Sequence, residues 1–145
     1  MLQNPMTPDI IRLTPANATL LDSVADEVFD EPVDPTRVAA YIADPSNIML
    51  LAVADGEVVA QCAAVIHRHP DKVTELYIDE VGVALAFQRQ GLATRMLDAM
   101  FAIGKEAGCG EAWVGTEIDN EAARRLYETR GGTTPELFVM YLYKL

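Results

Sequence analysis

ELYIDEVGVALAFQRQGLATRMLDAM, residues 75–100, reads as a strand, a short polar turn and an amphipathic helix. The turn places Gly91 where the helix begins, with Arg89 adding a positive charge beside it. The first N–H groups of a helix have no partner inside it and lie at the positive end of its dipole. A helix start of this kind can hold an anion such as a phosphate. The stretch therefore predicts an anion site between a strand and a helix.

Size and composition predict one domain covering residues 1–145, with a hydrophobic core. The net charge of −11 argues against nucleic acid as a partner, because phosphates would be repelled. The same charge either favours a cationic small molecule or only keeps the protein soluble.

Three features bear on where the protein works. The longest apolar run, near residues 49–54, is too short to span a bilayer, and the N-terminus lacks the features of a signal peptide. Cys62 and Cys109 lie far apart without a CxxC spacing, which favours reduced thiols over a disulfide. We expect a cytoplasmic protein with no membrane partner.

Periodicity and turn residues predict an α/β sandwich with a mixed sheet. Asp55-Gly56, between two apolar runs, is a strong hairpin signal. Asn17 or Thr19 is expected to cap the first helix, and Asp119 or Asn120 the last. The expected strands are at 10–14, 48–53, 57–66, 73–83, 111–116 and 137–143, and the expected helices are at about 17–28, 36–43, 92–107 and 120–130.

Two polar segments have open interpretations. The acidic, proline-rich segment at residues 26–34 is either a solvated face or one wall of a site for amines. His67 and His69 form a His-x-His pair, but no third metal ligand lies at a recognisable spacing, so a loop is preferred and no metal is expected.

The anion site matches neither of two common phosphate motifs. GxxxxGK[ST] is absent, and no GxGxxG follows the first strand. More specific is a combination: Val81-Gly82-Val83 on the strand, residues 88–93 at the turn, and then Asn120 and Tyr127.

With these residues the sequence resembles the GNAT superfamily of acetyl-CoA-dependent N-acetyltransferases. Gln88, Gly91 and Ala93 match its core motif, (Q/R)-x-x-G-x-(G/A). Three segments resemble the type I aminoglycoside 3-N-acetyltransferase-like branch most: EVFDEPVDP at 27–35, IDEVGVALAFQRQGLAT at 78–94 and TEIDNEAARRLYETRGG at 116–132. The resemblance implies an α/β/α sandwich with four helices, a splayed central strand and a mixed, mostly antiparallel sheet of about six to seven strands.

The resemblance also implies a site for acetyl-CoA as co-substrate. The turn would bind the pyrophosphate, and the splayed strand would pair with the pantetheine arm. The Val83 N–H would stabilise the oxyanion of the reaction, and Asn120 would hydrogen bond the cofactor arm. The expected cofactor-binding residues are Val81, Val83, Gln88, Arg89, Gln90, Gly91, Leu92, Ala93, Thr94 and Asn120.

Two residues are predicted to move protons. Tyr127 would protonate the departing thiolate, although it is alternatively a core aromatic. Glu80 would take a proton from the acceptor amine, directly or through a water. Asp79 points to the opposite face unless a bulge interrupts the strand. Glu117 and Asp119 are further acidic candidates for holding a cation, and Asp119 is alternatively a helix cap.

The expected reaction is direct transfer of an acetyl group to a primary amine, because neither cysteine lies in the predicted site. The acceptor would be a small cation, with an aminoglycoside-like amine as the named example. A peptide or protein amino group and a non-catalytic acyl-CoA-binding module are the alternatives. Gly131-Gly132 replaces the Gly-Phe of many relatives, which leaves the acceptor open and allows a homodimer.

Overall fold

A computed structural model describes residues 7–132 and 135–145 in two units, Met1–Gly115 and Thr116–Leu145. The strands are β1 (Asp9–Arg12), β2 (Asn47–Ala54), β3 (Glu57–His67), β4 (Glu75–Val83) and β5 (Glu111–Val114). The α-helices are α1 (Pro35–Ala43), α2 (Leu92–Glu106) and α3 (Glu121–Thr129), and 3-10 helices occupy Pro15–Asp22 and Leu85–Phe87. Within these parts of the chain, no helix is both long and apolar enough to cross a membrane.

The five strands form one mixed sheet in the order β1-β2-β3-β4-β5. The first three pairings are antiparallel, and β4 pairs with β5 in parallel. Asp55 and Gly56 have φ angles of 51° and 75°, so the predicted hairpin between β2 and β3 is confirmed. The prediction of six to seven strands is wrong for the described residues, which contain five.

The missing strand is the one expected at residues 137–143. Residues 135–145 form no strand, although their side chains have strand composition. β-propensity reflects packing on a neighbouring strand, so composition without a hydrogen-bonded partner does not make a strand. Residues 133 and 134, just before it, lie outside the described parts of the chain.

The first helix also differs from the prediction. It is a 3-10 helix that ends at Asp22, capped by Thr14 and not by Asn17 or Thr19. Beyond it, the backbone of Ser23 and Ala25 bonds Val58 at the start of β3, with both N–O distances 2.9 Å. These bonds hold residues 23–25 extended, because a backbone group that pairs with a strand cannot also continue a helix.

Helix α2 fixes the part of the fold that carries the predicted site. Its inward face buries Leu92, Met96, Leu97 and Met100 against the sheet. Each such side chain contributes roughly 1.5–3 kcal/mol when fully buried. The same face closes on β4 at Gly104, where a Cβ atom would lie 2.8 Å from Leu76 Cδ2.

Candidate active site

A bulge in β4 sets the direction of Glu80. Ala64 pairs with Ile78 and Ala63 with Glu80, so Asp79 has no opposite residue on β3. One extra residue moves every later side chain to the other face of a strand. Leu76, before the bulge, packs against α2, whereas Glu80 lies on the opposite face among residues of α1 and the segment that precedes it. The exposed Asp79 is thus the bulged residue, and Glu80 is the residue that faces the cleft.

Gly82 lies on the same face as Glu80 and admits the acidic segment. A Cβ atom at Gly82 would collide with the carbonyl oxygen of Val28. Gln61, which pairs with Gly82 across β3, is fully buried and donates from Nε2 to that same oxygen at 3.3 Å. The absence of a side chain at Gly82 therefore leaves room for residues 28–30 beside Glu80, and the hydrogen bond from Gln61 holds them there.

The result is a cleft of about 370 Å³, a size suited to a small molecule. Its acidic lining consists of Asp30, Glu31, Asp34 and Glu80, against one cationic side chain, Arg37. Of these, Asp34 is already engaged: its carboxylate accepts from the N–H groups of Thr36 and Arg37 and so caps α1. Apolar side chains complete the walls, among them Phe29, Val33, Val38 and Met49.

The cleft changes the acidity of Glu80. Burial raises the pKa of its carboxyl above 4.5, and the charges of Asp30 and Asp79 raise it further. Hydrogen bonds from the Gln61 side chain and the Asp30 backbone lower this pKa without cancelling the rise. A carboxyl with a raised pKa holds a proton more strongly, as a general base near neutral pH requires.

Tyr41 on α1 is a second titratable group in this cleft whose pKa is shifted. Burial, reinforced by nearby Asp79, Cys62 and Glu80, raises the pKa of its phenol to about 12. Its hydroxyl donates to the carbonyl of Ile48 at 3.2 Å. Tyr41 is therefore neutral at physiological pH and offers the cleft an aromatic, uncharged wall.

Beyond the bulge, no strand of the described residues pairs with one edge of β4, which we call the open edge. Its pairing with β5 covers Glu75 to Ile78 only. On the other side, the Ala84 N–H donates to Val59 at 2.8 Å, and bonding alternates along an antiparallel ladder. Gly82 is thus the next residue to bond β3, and the backbone groups of Val81 and Val83 point to the open edge. The expected splay of β4 from its neighbour stays a prediction.

The turn after β4 is tied back to that edge. Gln88 donates from Nε2 to the Val83 carbonyl at 3.0 Å, and Gln90 donates to Ala86 at 3.1 Å. The Val83 carbonyl is therefore occupied, and its N–H remains directed outward. Arg89 takes a positive φ of 60° and is exposed.

Helix α2 begins without a side-chain cap. Gly91 occupies the N-cap position with φ 77°, and a Cβ there would meet nothing within 4 Å. The N–H groups of Leu92, Ala93 and Thr94 have no intrahelical acceptor, as in any first turn. An open helix start with free space above it can hold a phosphate.

The remaining predicted residues belong to the second unit. Asn120 caps α3, its side-chain oxygen accepting from the Ala123 N–H at 3.1 Å, so Asn120 and not Asp119 is the cap. Tyr127 lies half-buried on α3, and Glu117 and Asp119 are exposed ahead of it. The cofactor role of Asn120 and the acid role of Tyr127 stay predictions.

Sequence reasoning missed Gln61 and Tyr41. Both come from segments far from Glu80 in the chain, and neither belongs to a recognisable motif. The one available signal for Gln61 is its position as the lone polar residue in the run VVAQCAAVI, since a buried amide needs a specific partner.

Comparisons with known proteins identify relatives of this chain. Residues 17–132 match the Acetyltransferase (GNAT) family. N-alpha-acetyltransferase 30 of Schizosaccharomyces pombe is 36% identical over 55 residues, which cover 38% of this chain and 37% of that protein. The chain spans less than two thirds of the length of the curated relatives that it matches.

Two solved structures share the fold. An aminoglycoside acetyltransferase from an uncultured soil metagenomic sample superposes with a TM-score of 0.79 at 24% identity, covering 97% of this chain and 100% of that one. An aminoglycoside N-acetyltransferase in complex with CoA gives a TM-score of 0.79 at 17% identity, covering 100% of both chains. The core motif and the match over residues 17–132 lead to one assignment: the chain belongs to the GNAT acetyltransferase family.

Proposed function

We propose that this chain transfers an acetyl group from acetyl-CoA to a primary amine of a small cationic acceptor. One observation carries the proposal. The bulge at Asp79 makes the Glu80 side chain face an acidic cleft, and the N–H of Val83, three residues further on, points to the open edge of the same strand. A proton acceptor and an oxyanion donor are then about 10 Å apart along β4.

The donor end of the site would use backbone groups. The N–H groups at the start of α2 would bind the pyrophosphate, with Arg89 adding positive charge. Val81 and Val83 would pair with the pantetheine arm as with an added strand. Acetyl-CoA supplies the activated acetyl thioester. The likeness to an acetyltransferase in complex with CoA supports this assignment of the donor.

The acceptor end would use side chains. The carboxylates of the cleft would attract an ammonium group, and Glu80 would take one of its protons, directly or through a water. The freed nitrogen lone pair attacks the thioester carbon, and the Val83 N–H donates to the resulting oxyanion. The carbon–sulfur bond then breaks, and Tyr127 would give its proton to the thiolate. The new amide nitrogen sheds its extra proton, which returns to the Tyr127 phenolate directly or through water. The roles of Tyr127 and Asn120 rest on the family resemblance.

An aminoglycoside-like amine suits the size and charge of the cleft, and aminoglycoside acetyltransferases share this fold. A peptide amino terminus is the second candidate, favoured by the likeness to N-alpha-acetyltransferase 30 over 55 residues. We also propose that the protein forms a homodimer and works in the cytoplasm.

Thiol release from acetyl-CoA tests the proposal. The protein is incubated with acetyl-CoA and a panel of aminoglycosides, polyamines and peptides, and free CoA is measured with a thiol reagent. We expect release with at least one cationic amine and loss of that release in Glu80→Gln. If acetyl-CoA raises the melting temperature but no amine liberates CoA, the chain is an acyl-CoA-binding module and the catalytic proposal fails.

A further inference from the structure

A cluster of three metal-ligand side chains lies at the other end of β4. His67 ends β3 and pairs across the ladder with Glu75, the first residue of β4. His69 lies in the loop between the two strands. Its Nε2 is 3.2 Å from Glu75 Oε1, and His67 Nδ1 is 3.9 Å from Glu75 Oε2. The third ligand that the sequence spacing did not reveal is therefore Glu75.

The geometry fits one small cation. One ligand atom from each residue lies within 4.8 Å of the others. A Zn²⁺ ion bound at roughly 2.0–2.2 Å to each atom would require ligand atoms about 3.4 Å apart in a tetrahedral site. The 3.2 Å between His69 Nε2 and Glu75 Oε1 is already close to that spacing, whereas the 3.9 Å between His67 Nδ1 and Glu75 Oε2 would need to shorten by side-chain rotation.

One nitrogen in the cluster lacks a satisfactory partner. His69 Nε2 is shielded from solvent and makes no hydrogen bond of good geometry to the described residues. It faces the Glu75 carboxylate, which accepts hydrogen bonds and donates none when ionised. In the tautomer with its proton on Nδ1, His69 directs the Nε2 lone pair at the carboxylate oxygen, and a cation shared between the two would satisfy both.

The carboxylate of Glu75 is already oriented for this role. Trp113 on β5 donates from Nε1 to Glu75 Oε2 at 3.0 Å, and its ring stacks on Tyr77 at 4.2 Å. Hydrogen bonds of this kind to a ligating carboxylate fix its direction and support metal affinity.

We propose that His67, His69 and Glu75 bind one divalent transition-metal ion, with Zn²⁺ the best match to two imidazoles and a carboxylate. A water would complete four-coordination. Glu75 and Val83 are eight residues apart on β4, about 26 Å along an extended strand. The ion therefore braces the β3–β4 hairpin and takes no part in acetyl transfer, so this site is independent of the proposed function.

Metal titration of the tag-free protein, stripped with a chelator, tests the site. Zn²⁺ is titrated in competition with a chromophoric chelator, and Co²⁺ is titrated separately while its visible absorption is recorded. We expect one ion per chain, a rise in melting temperature with Zn²⁺, and Co²⁺ bands typical of a four-coordinate site. His69→Gln and Glu75→Gln should each weaken binding by at least the roughly 10–100-fold that follows the loss of a residue supporting a ligand, because each removes a ligand itself.

Two control variants make the result specific. Asp71→Asn removes an exposed carboxylate from the same loop, and Cys109→Ser removes a half-buried thiol elsewhere. Both should keep the wild-type affinity. The proposal is overturned if the wild type binds no ion at high micromolar Zn²⁺, or if His69→Gln binds as tightly as Asp71→Asn. In either case the cluster is only a histidine–carboxylate pair at a hairpin.

Discussion

The two ends of the candidate active site present different chemical groups, backbone at one end and side chains at the other. At the donor end, backbone groups point outward from β4 and from the uncapped start of α2. At the acceptor end, side chains converge on a cleft: Glu80, Asp30 and Tyr41 with Gln61 behind them. A donor shared by a whole family needs only fixed backbone geometry, whereas an acceptor is selected by side chains. The two ends should therefore fail in different ways when they are altered.

The largest expected effect comes from the acceptor end. Glu80→Gln should lower kcat/KM by about 10²–10⁴-fold while acetyl-CoA binding is unchanged, because only the proton acceptor is removed. The loss should be greatest between the pKa of Glu80, which lies above 4.5, and that of the acceptor amine. Above the amine pKa the acceptor is already neutral. A pH–rate profile of both proteins measures this, and identical profiles would dismiss Glu80 as the base.

Stability provides the control for that variant. The folded-state pKa of Glu80 is raised, so the folded protein binds more protons than the unfolded chain between pH 4.5 and that pKa. Stability is lost as pH rises through this window. Glu80→Gln should therefore melt at a slightly higher temperature than wild type at pH 7, and no higher at pH below 4.5. A lowered melting temperature would assign the lost activity to unfolding.

Next in size is the close approach of β4 to the acidic segment. Gly82→Ala should destabilise the fold by about 1–3 kcal/mol, because the new Cβ strikes a backbone carbonyl that Gln61 also holds. Gly104→Ala is the matched control. Its Cβ would lie 2.8 Å from Cδ2 of Leu76, a side-chain atom and not backbone, and alanine favours the helix by roughly 1 kcal/mol. Urea unfolding of both variants checks the difference, and equal losses would contradict it.

At the donor end, Gly91→Ala should raise the Kd for acetyl-CoA by roughly tenfold, about 1.4 kcal/mol. The new methyl group projects from the helix start at a φ of 77°, into the space assigned to the pyrophosphate. Gly56→Ala has nearly the same φ, 75°, in a hairpin without a predicted ligand. Calorimetry should find weaker binding for Gly91→Ala alone. Equal affinities in both variants would remove the phosphate from this turn.

The smallest effect separates the two neighbouring acids of the bulge. Asp79→Asn should leave kcat/KM at pH 8 within roughly twofold of wild type, because an exposed carboxylate interacts weakly. The acid limb of its pH–rate profile should move to lower pH, since the charge of Asp79 raises the pKa of Glu80. A loss as large as that of Glu80→Gln would identify Asp79 as the base.

Local patterns predicted most of the fold. The Asp55-Gly56 hairpin, α2 and, apart from the 3-10 helix Leu85–Phe87, the order of elements up to α3 follow from turn residues and hydrophobic period, which are properties of neighbouring residues. Pairing between distant segments could not be predicted in this way. Bonds to Val58 shorten the first helix, and residues 137–143 form no strand despite their composition.

The candidate site divides along the same line. The turn at Gly91 and the residue Glu80 carry signals in one continuous stretch, so they were predicted. Gln61 and Tyr41 reach Glu80 only through the folded sheet and α1. The bulge at Asp79 determines that Glu80 and not Asp79 faces the cleft, and no residue type in β4 predicts this bulge. Glu75 escaped notice beside His67 because the two are neighbours across a ladder and not along the chain.

The hydrogen bond from Gln88 to the Val83 carbonyl fixes a distance within this part of the protein. It joins the turn assigned to the pyrophosphate to the residue assigned to the thioester oxygen, and so fixes the span between them. A donor can occupy both points only if the arm joining its phosphate to its acyl group has the matching length. Short acyl thioesters without a phosphate would reach the residue assigned to the thioester oxygen but not the turn assigned to the pyrophosphate. The protein would then select its donor by the length of this arm as well as by the chemical groups at its two ends.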